Sequence, residues 1–154
     1  MGDADVRTPE TAPVATSDVV VLRLPAQGAY LSVLRTATAS LASRLDFTID
    51  DIEDLRIAVD EACAMLLSQA VAGADLECRF ELADQAIAIA VTVPTLDGEQ
   101  PSRDTFAWTV LTALAGEVDS ASDADNRVTI TLHKRRADEA GHLPVPGGSD
   151  TPAR

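Results

Sequence analysis

The chain has 154 residues, 46% hydrophobic and 24% charged, a balance that suits one globular domain rather than a fibre or a disordered chain. Its formal net charge is −13 and Lys134 is its only lysine. Binding to DNA or RNA depends on neutralising phosphates with Lys and Arg, so direct nucleic-acid binding is excluded as a primary role, whereas an acidic surface suits a basic protein partner.

No apolar run approaches the ~20 residues needed to span a bilayer. Residues Met1 to Thr16 have neither the basic start nor the apolar stretch of a secretory signal, so a cytoplasmic protein with no membrane role is expected. Aromatic residues make up only 3% of the chain, so Ala, Val, Leu and Ile must build the core. Cys63 and Cys78 fit no metal-binding spacing and read as small buried thiols. The ends, 1–16 and 137–154, are rich in Pro, Gly and polar residues and are expected to be disordered, leaving 17–136 as the folded domain.

Within that domain, Asp18 to Leu24 is β-branched and apolar and stops at Pro25, which predicts a strand. Leu31, Leu34, Thr38, Leu41 and Leu45 recur every three or four residues, which predicts an amphipathic helix over 27–45. Thr48 is placed to cap a second helix over 49–70, with Asp51 as the return partner of a weakened capping box. Ile52, Leu55, Val59, Ala62 and Leu66 give that helix its apolar stripe. Leu76–Leu82 and Ala86–Val93, separated by Asp84-Gln85, predict an antiparallel hairpin. A polar loop from Pro94 to Arg103 contains Asp97-Gly98. A third helix is predicted over Thr105–Glu117, with Phe106, Val110, Leu111 and Leu114 inward. Arg127–His133 alternates as a last strand, and the basic cluster His133 to Arg136 reads as its solvated end. The order β-α-α-β-β-α-β points to an α+β fold, one mostly antiparallel sheet with helices on one face.

Leu55-Arg-Ile-Ala-Val-Asp-Glu-Ala-Cys63 on the second helix resembles the first ATP-site motif of the bacterial anti-sigma-factor serine kinases. Phe106 to Val118 is similar to their final helix, and the element order is that of the GHKL ATPase fold shared with gyrase and histidine kinases. The resemblance covers about residues 18–136 and implies a two-layer α/β sandwich of the GHKL type. It also implies a homodimer, a sigma factor as the sequestered partner, and an anti-anti-sigma protein of the STAS type as antagonist. Many members phosphorylate that antagonist on serine with ATP and Mg²⁺.

Carried over residue by residue, Glu61 stands where the family keeps its general base. Read on spacing alone, it is a solvated helix glutamate. Met65, one turn on, replaces the Mg²⁺-binding asparagine, and a thioether is a poor ligand for a hard cation. Asp97-Gly98 stands near the adenine-reading Asp and glycine, displaced by several residues. Thr105 and Ala107 occupy sites where the family uses glycines to approach phosphates. Arg35 matches a partner-contacting arginine; without the resemblance it reads as a surface arginine. The expectation is an anti-sigma factor that requires no cofactor and has weak or absent kinase activity. The first alternative is an active serine kinase using ATP and Mg²⁺. A second is a detached sensor module, which the missing phospho-acceptor helix disfavours.

Overall fold

The computed structural model describes residues 18–136. The terminal segments read as disordered, 1–16 and 137–154, lie outside the described residues.

Strand β1 (Asp18–Pro25) leads through a 3-10 turn (Gly28–Tyr30) into helix α1 (Leu31–Arg44), and helix α2 (Ile49–Leu67) follows. Strands β2 (Asp75–Ala83) and β3 (Ala86–Pro94) form the expected hairpin. Helix α3 (Phe106–Ala115) is followed by β4 (Glu117–Ser122) and β5 (Arg127–Arg135). The five strands form one sheet in the order β1-β2-β3-β5-β4, with every neighbour pair antiparallel. The mostly antiparallel α+β sandwich expected from the sequence is therefore what forms.

Period-two alternation decides which face of the sheet the helices cover. Leu76, Cys78, Phe80 and Leu82 of β2, Ile87, Ile89, Val91 and Val93 of β3, and Val128, Ile130 and Leu132 of β5 are buried on one face. Against them pack Leu34 and Ala42 of α1, Leu55, Ala58, Val59, Ala62, Cys63 and Leu66 of α2, and Trp108, Leu111 and Ala115 of α3. Thr38 is fully buried among these apolar groups because its hydroxyl donates to the Leu34 carbonyl oxygen at 2.7 Å, so no polar atom is left unpaired. The opposite sheet face keeps Arg79, Glu81, Thr131 and His133 at least partly in water.

Three expectations are corrected. The sequence reading has no strand between α3 and β5, yet Glu117–Ser122 pairs with β5 along its whole length. Only Val118 of that strand is buried, so the segment carries no alternation strong enough to announce a strand; backbone pairing with β5 makes it one. Helix α3 stops at Ala115 because Gly116 adopts φ +92°, where a residue with a Cβ would be strained. Within α3, Phe106 is 81% exposed and Trp108 is buried. With Thr105 as the cap, the buried stripe runs 108, 111, 115, and Phe106 falls about 140° away from Leu111 at the ~100° per residue of a helix.

The basic cluster is also less solvated than expected. Lys134 Nζ donates to the Leu114 carbonyl oxygen at 2.9 Å and lies 3.6 Å from the Asp51 carboxylate, with 16% of its side chain exposed. It joins the last turn of α3, where unpaired carbonyls attract a cation, to the first turn of α2. Thr48 caps α2 as expected, accepting from the Asp51 backbone N–H at 3.1 Å. The Asp51 carboxylate faces Lys134.

Candidate functional site

Helix α2 carries the residues singled out by the sequence, and its length places them in two groups. Asp60 faces α1. Arg35 Nη1 donates to both Asp60 carboxylate oxygens, at 2.8 and 3.0 Å, and each side chain is more than a third exposed. Arg35, read as a partner-contacting residue, is thus already engaged within the chain. A half-exposed pair of this kind is worth at most about 1 kcal/mol, so a partner's carboxylate could compete for the guanidinium at small cost. The sequence analysis gives Asp60 no role; its pairing with Arg35 joins residues 25 apart in the chain and appears only once α1 and α2 pack.

Glu61 is partly exposed, and no ion pair among the described residues uses it. One turn further, Met65 lines an open groove of about 250 Å³ with Ser68, Gln69, Pro101, Ser102, Thr105 and Ala107. The sequence brought Met65, Thr105 and Ala107 under suspicion separately; the fold brings them together between the end of α2 and the start of α3. Asp97 and Gly98 do not line it. Asp97 is exposed and its Oδ1 accepts from the Glu99 backbone N–H at 3.0 Å. The Gly98 N–H donates to Thr95 Oγ at 2.8 Å, and Gly98 has φ +72°. A Cβ there would stand 2.8 Å from Asn126 Oδ1, so the turn itself accounts for the glycine.

The groove lining does not fit a magnesium triphosphate. Its donors are hydroxyls, one amide and one thioether, with no carboxylate to hold a hard divalent cation and no Lys or Arg to meet phosphates. Among the described residues no cluster of three or more His, Cys, Asp or Glu is placed to hold a metal. Its volume also falls short of the roughly 300–1,000 Å³ common for small-molecule sites. The N-terminus of α3 opens onto it, but Thr105 already caps that end by accepting from the Trp108 N–H at 3.1 Å.

The two cysteines are free thiols, fully buried between α2 and β2. Burial, and secondarily the Asp60 charge, pushes the Cys63 thiol up to about 12. Burial raises Cys78 further, with Cys63 adding to the effect. Neither can serve as a nucleophile near neutral pH.

No family model matches the chain. It is 31% identical over 124 residues to the anti-sigma-F factor RsbW of Mycobacterium tuberculosis (strain H37Rv), a match covering 77% of this chain and 74% of that protein. It is 41% identical over 54 residues to the serine-protein kinase RsbW of Bacillus subtilis (strain 168), covering 35% of this chain and 34% of that protein. Its fold matches a crystal structure of the RsbU and RsbW domains of a Mycobacterium tuberculosis protein, with TM-score 0.59 and 17% identity over 77% of this chain and 32% of the other. No described helix is long and apolar enough to cross a membrane. With the sandwich, the acid on α2 and a relative aligned along most of both chains, this protein belongs to the RsbW family of anti-sigma factors and serine-protein kinases.

Proposed function

We propose that this chain is an anti-sigma factor that sequesters an alternative sigma factor, is displaced by an anti-anti-sigma protein of the STAS type, and has little or no phosphate-transfer activity. The observation that carries the last point is the groove that begins one helical turn beyond Glu61, at Met65. Met65, Thr105 and Ala107 line it together, and by the resemblance these are the positions where the family needs a magnesium ligand and phosphate-approaching glycines. Three lost contacts at about 2 kcal/mol each would slow phosphate transfer by about four orders of magnitude. Glu61 alone, however well placed as a base, cannot orient a nucleotide that the groove does not hold. Binding a protein partner needs none of these groups. It needs a rigid sandwich with an acidic surface and an accessible arginine, and the chain has a net charge of −13 and a half-exposed Arg35.

The same reading makes the protein a homodimer working in the cytoplasm, with no nucleotide requirement. Thermal unfolding with and without ATP and Mg²⁺, run beside capture of the sigma factor, tests it. Capture without nucleotide and an unmoved Tm are expected. A Tm raised by several degrees in micromolar ATP would indicate an occupied site. Arg35→Ala should weaken the partner complex by more than about 1 kcal/mol while leaving the fold intact; an unchanged Kd removes Arg35 from the interface.

The second reading, an active serine kinase, is favoured by the Glu61 carboxylate, which has no ion pair among the described residues, and by the relatives named serine-protein kinase. Stoichiometric transfer of labelled phosphate to the antagonist would establish it in place of the first.

A further inference from the structure

The segment 96–105 runs from the end of β3 to the cap of α3, along one side of the α2/α3 groove. Protein groups from four places tie it down. Gln69 Nε2, just past the end of α2, donates to the Glu99 carbonyl oxygen at 3.1 Å. Ser120 Oγ of β4 donates to Gln100 Oε1 at 2.7 Å and accepts from Arg103 Nη2 at 3.3 Å, which uses both capacities of one hydroxyl. The Arg103 guanidinium lies over the Trp108 ring, 4.8 Å from its centroid, a cation–π contact with α3. Asn126 Nδ2, from the β4–β5 turn, donates to the Leu96 carbonyl oxygen at 2.9 Å. Inside the segment, the backbone N–H groups of Gly98, Glu99 and Asp104 donate to Thr95 Oγ, Asp97 Oδ1 and Ser102 Oγ.

A loop that waits for a ligand has few such ties, because the ligand supplies them on arrival. Here the chain supplies them, and the groove beside the loop lacks the charges a nucleotide would need. We propose that 96–105 is a permanent strap, with Gln69 as its latch, which holds the rim of the groove in one arrangement without any ligand. The inference rests on the proposed function in one respect: a protein partner then meets a finished surface whose shape nucleotide does not change. A ligand shifts a conformational equilibrium only through unequal affinity for its states, and a strapped loop leaves it no second state to select.

Hydrogen exchange on the full chain, with and without ATP and Mg²⁺, tests the strap. In the wild type the amides of Gly98, Glu99 and Asp104 should exchange at least about tenfold more slowly than an unstructured peptide, and millimolar nucleotide should not change them. Gln69→Glu keeps the shape of the side chain but replaces its donor, and should raise exchange over 97–100 several-fold while the core strands stay protected. Ser120→Ala should act in the same direction, and serves if the first variant does not fold. Unstructured rates in the wild type, slowing on nucleotide addition, or no response to either variant would each overturn the strap. Capture of the sigma factor by the same samples separates the two claims. Loss of capture with a protected loop defeats the anti-sigma reading alone, and capture with a nucleotide-ordered loop defeats the strap alone.

Discussion

The two halves of α2 share one apolar stripe but treat their polar groups differently. Up to Asp60, three carboxylates have cationic partners: Asp51 faces Lys134, Glu53 pairs with Arg56 at 2.7 Å, and Asp60 holds Arg35, while Asp50 and Asp54 have no ion pair among the described residues. Beyond Asp60, Glu61 stands without an ion-pair partner among the described residues, Met65 opens onto the groove, and Gln69, just past the end of the helix, reaches across to the strap. Two of those pairs, Asp51–Lys134 and Asp60–Arg35, tie α2 to its neighbours, whereas Glu53–Arg56 lies on the exposed face of α2 itself. Past Asp60 the helix carries an acid with no ion pair among the described residues, one turn before a groove lined by no Lys, Arg or carboxylate. A residue that stability does not explain is where function, present or past, is to be sought.

The largest effect is expected at the apolar stripe. Leu55 and Leu66 lie in opposite halves, and both are fully buried. Each change to Ala should destabilise by about 2–5 kcal/mol in denaturant melts. A much smaller loss at Leu66 would mean that the groove end is loosely packed and that the halves differ in more than polar chemistry. Next comes Lys134→Met, which keeps the stem and removes the ammonium that links α2 to α3. A hydrogen bond from a charged donor is worth about 1.5–3 kcal/mol, and a loss of that size is expected in the same melts. A neutral result would make the first half no more tightly held than the second.

The buried thiols make stability depend on pH. The Cys63 pKa is raised by burial to about 12 in the folded state from an ordinary value of 9.0. The unfolded chain therefore sheds this proton first, so stability is fully present below pH 9 and falls as pH rises toward 12, by up to about 1.4 kcal/mol per pH unit. Cys63→Ala should flatten that alkaline slope; an unaltered slope would place the cause elsewhere. The smallest effect belongs to the second half. Glu61→Ala should change stability by less than about 0.5 kcal/mol and leave sigma binding nearly unchanged, because no ion pair or hydrogen bond among the described residues uses its side chain. Equal losses of stability and sigma affinity would show that the acid has a structural task after all.

Most of the fold was legible because period and punctuation agree. Leucines at three- and four-residue spacing, Thr48 as a cap, Pro25 as a stop and the alternation of β2, β3 and β5 each point to one local structure. Helix α3 was legible in existence and not in phase, since Phe106 and Trp108 are equally apolar and only the position of the cap decides which one turns inward. The motif around Glu61 was readable as a family signature, but its neighbours in space were not. Pro101 and Ser102 meet Met65 across more than thirty residues of intervening chain, and nothing in their spacing says so.

The order of residues by itself determined the two long helices, the hairpin and the α+β class, because these depend on contacts between residues close together in the chain. It also determined the chemistry of Met65, since a thioether is a soft donor wherever it is placed. Only the tertiary structure decided that Glu117–Ser122 is a strand, that Arg35 is held by Asp60, and that 96–105 is tied from four sides. Each of these is a contact between distant residues whose energy does not exist until the sheet and helices have packed.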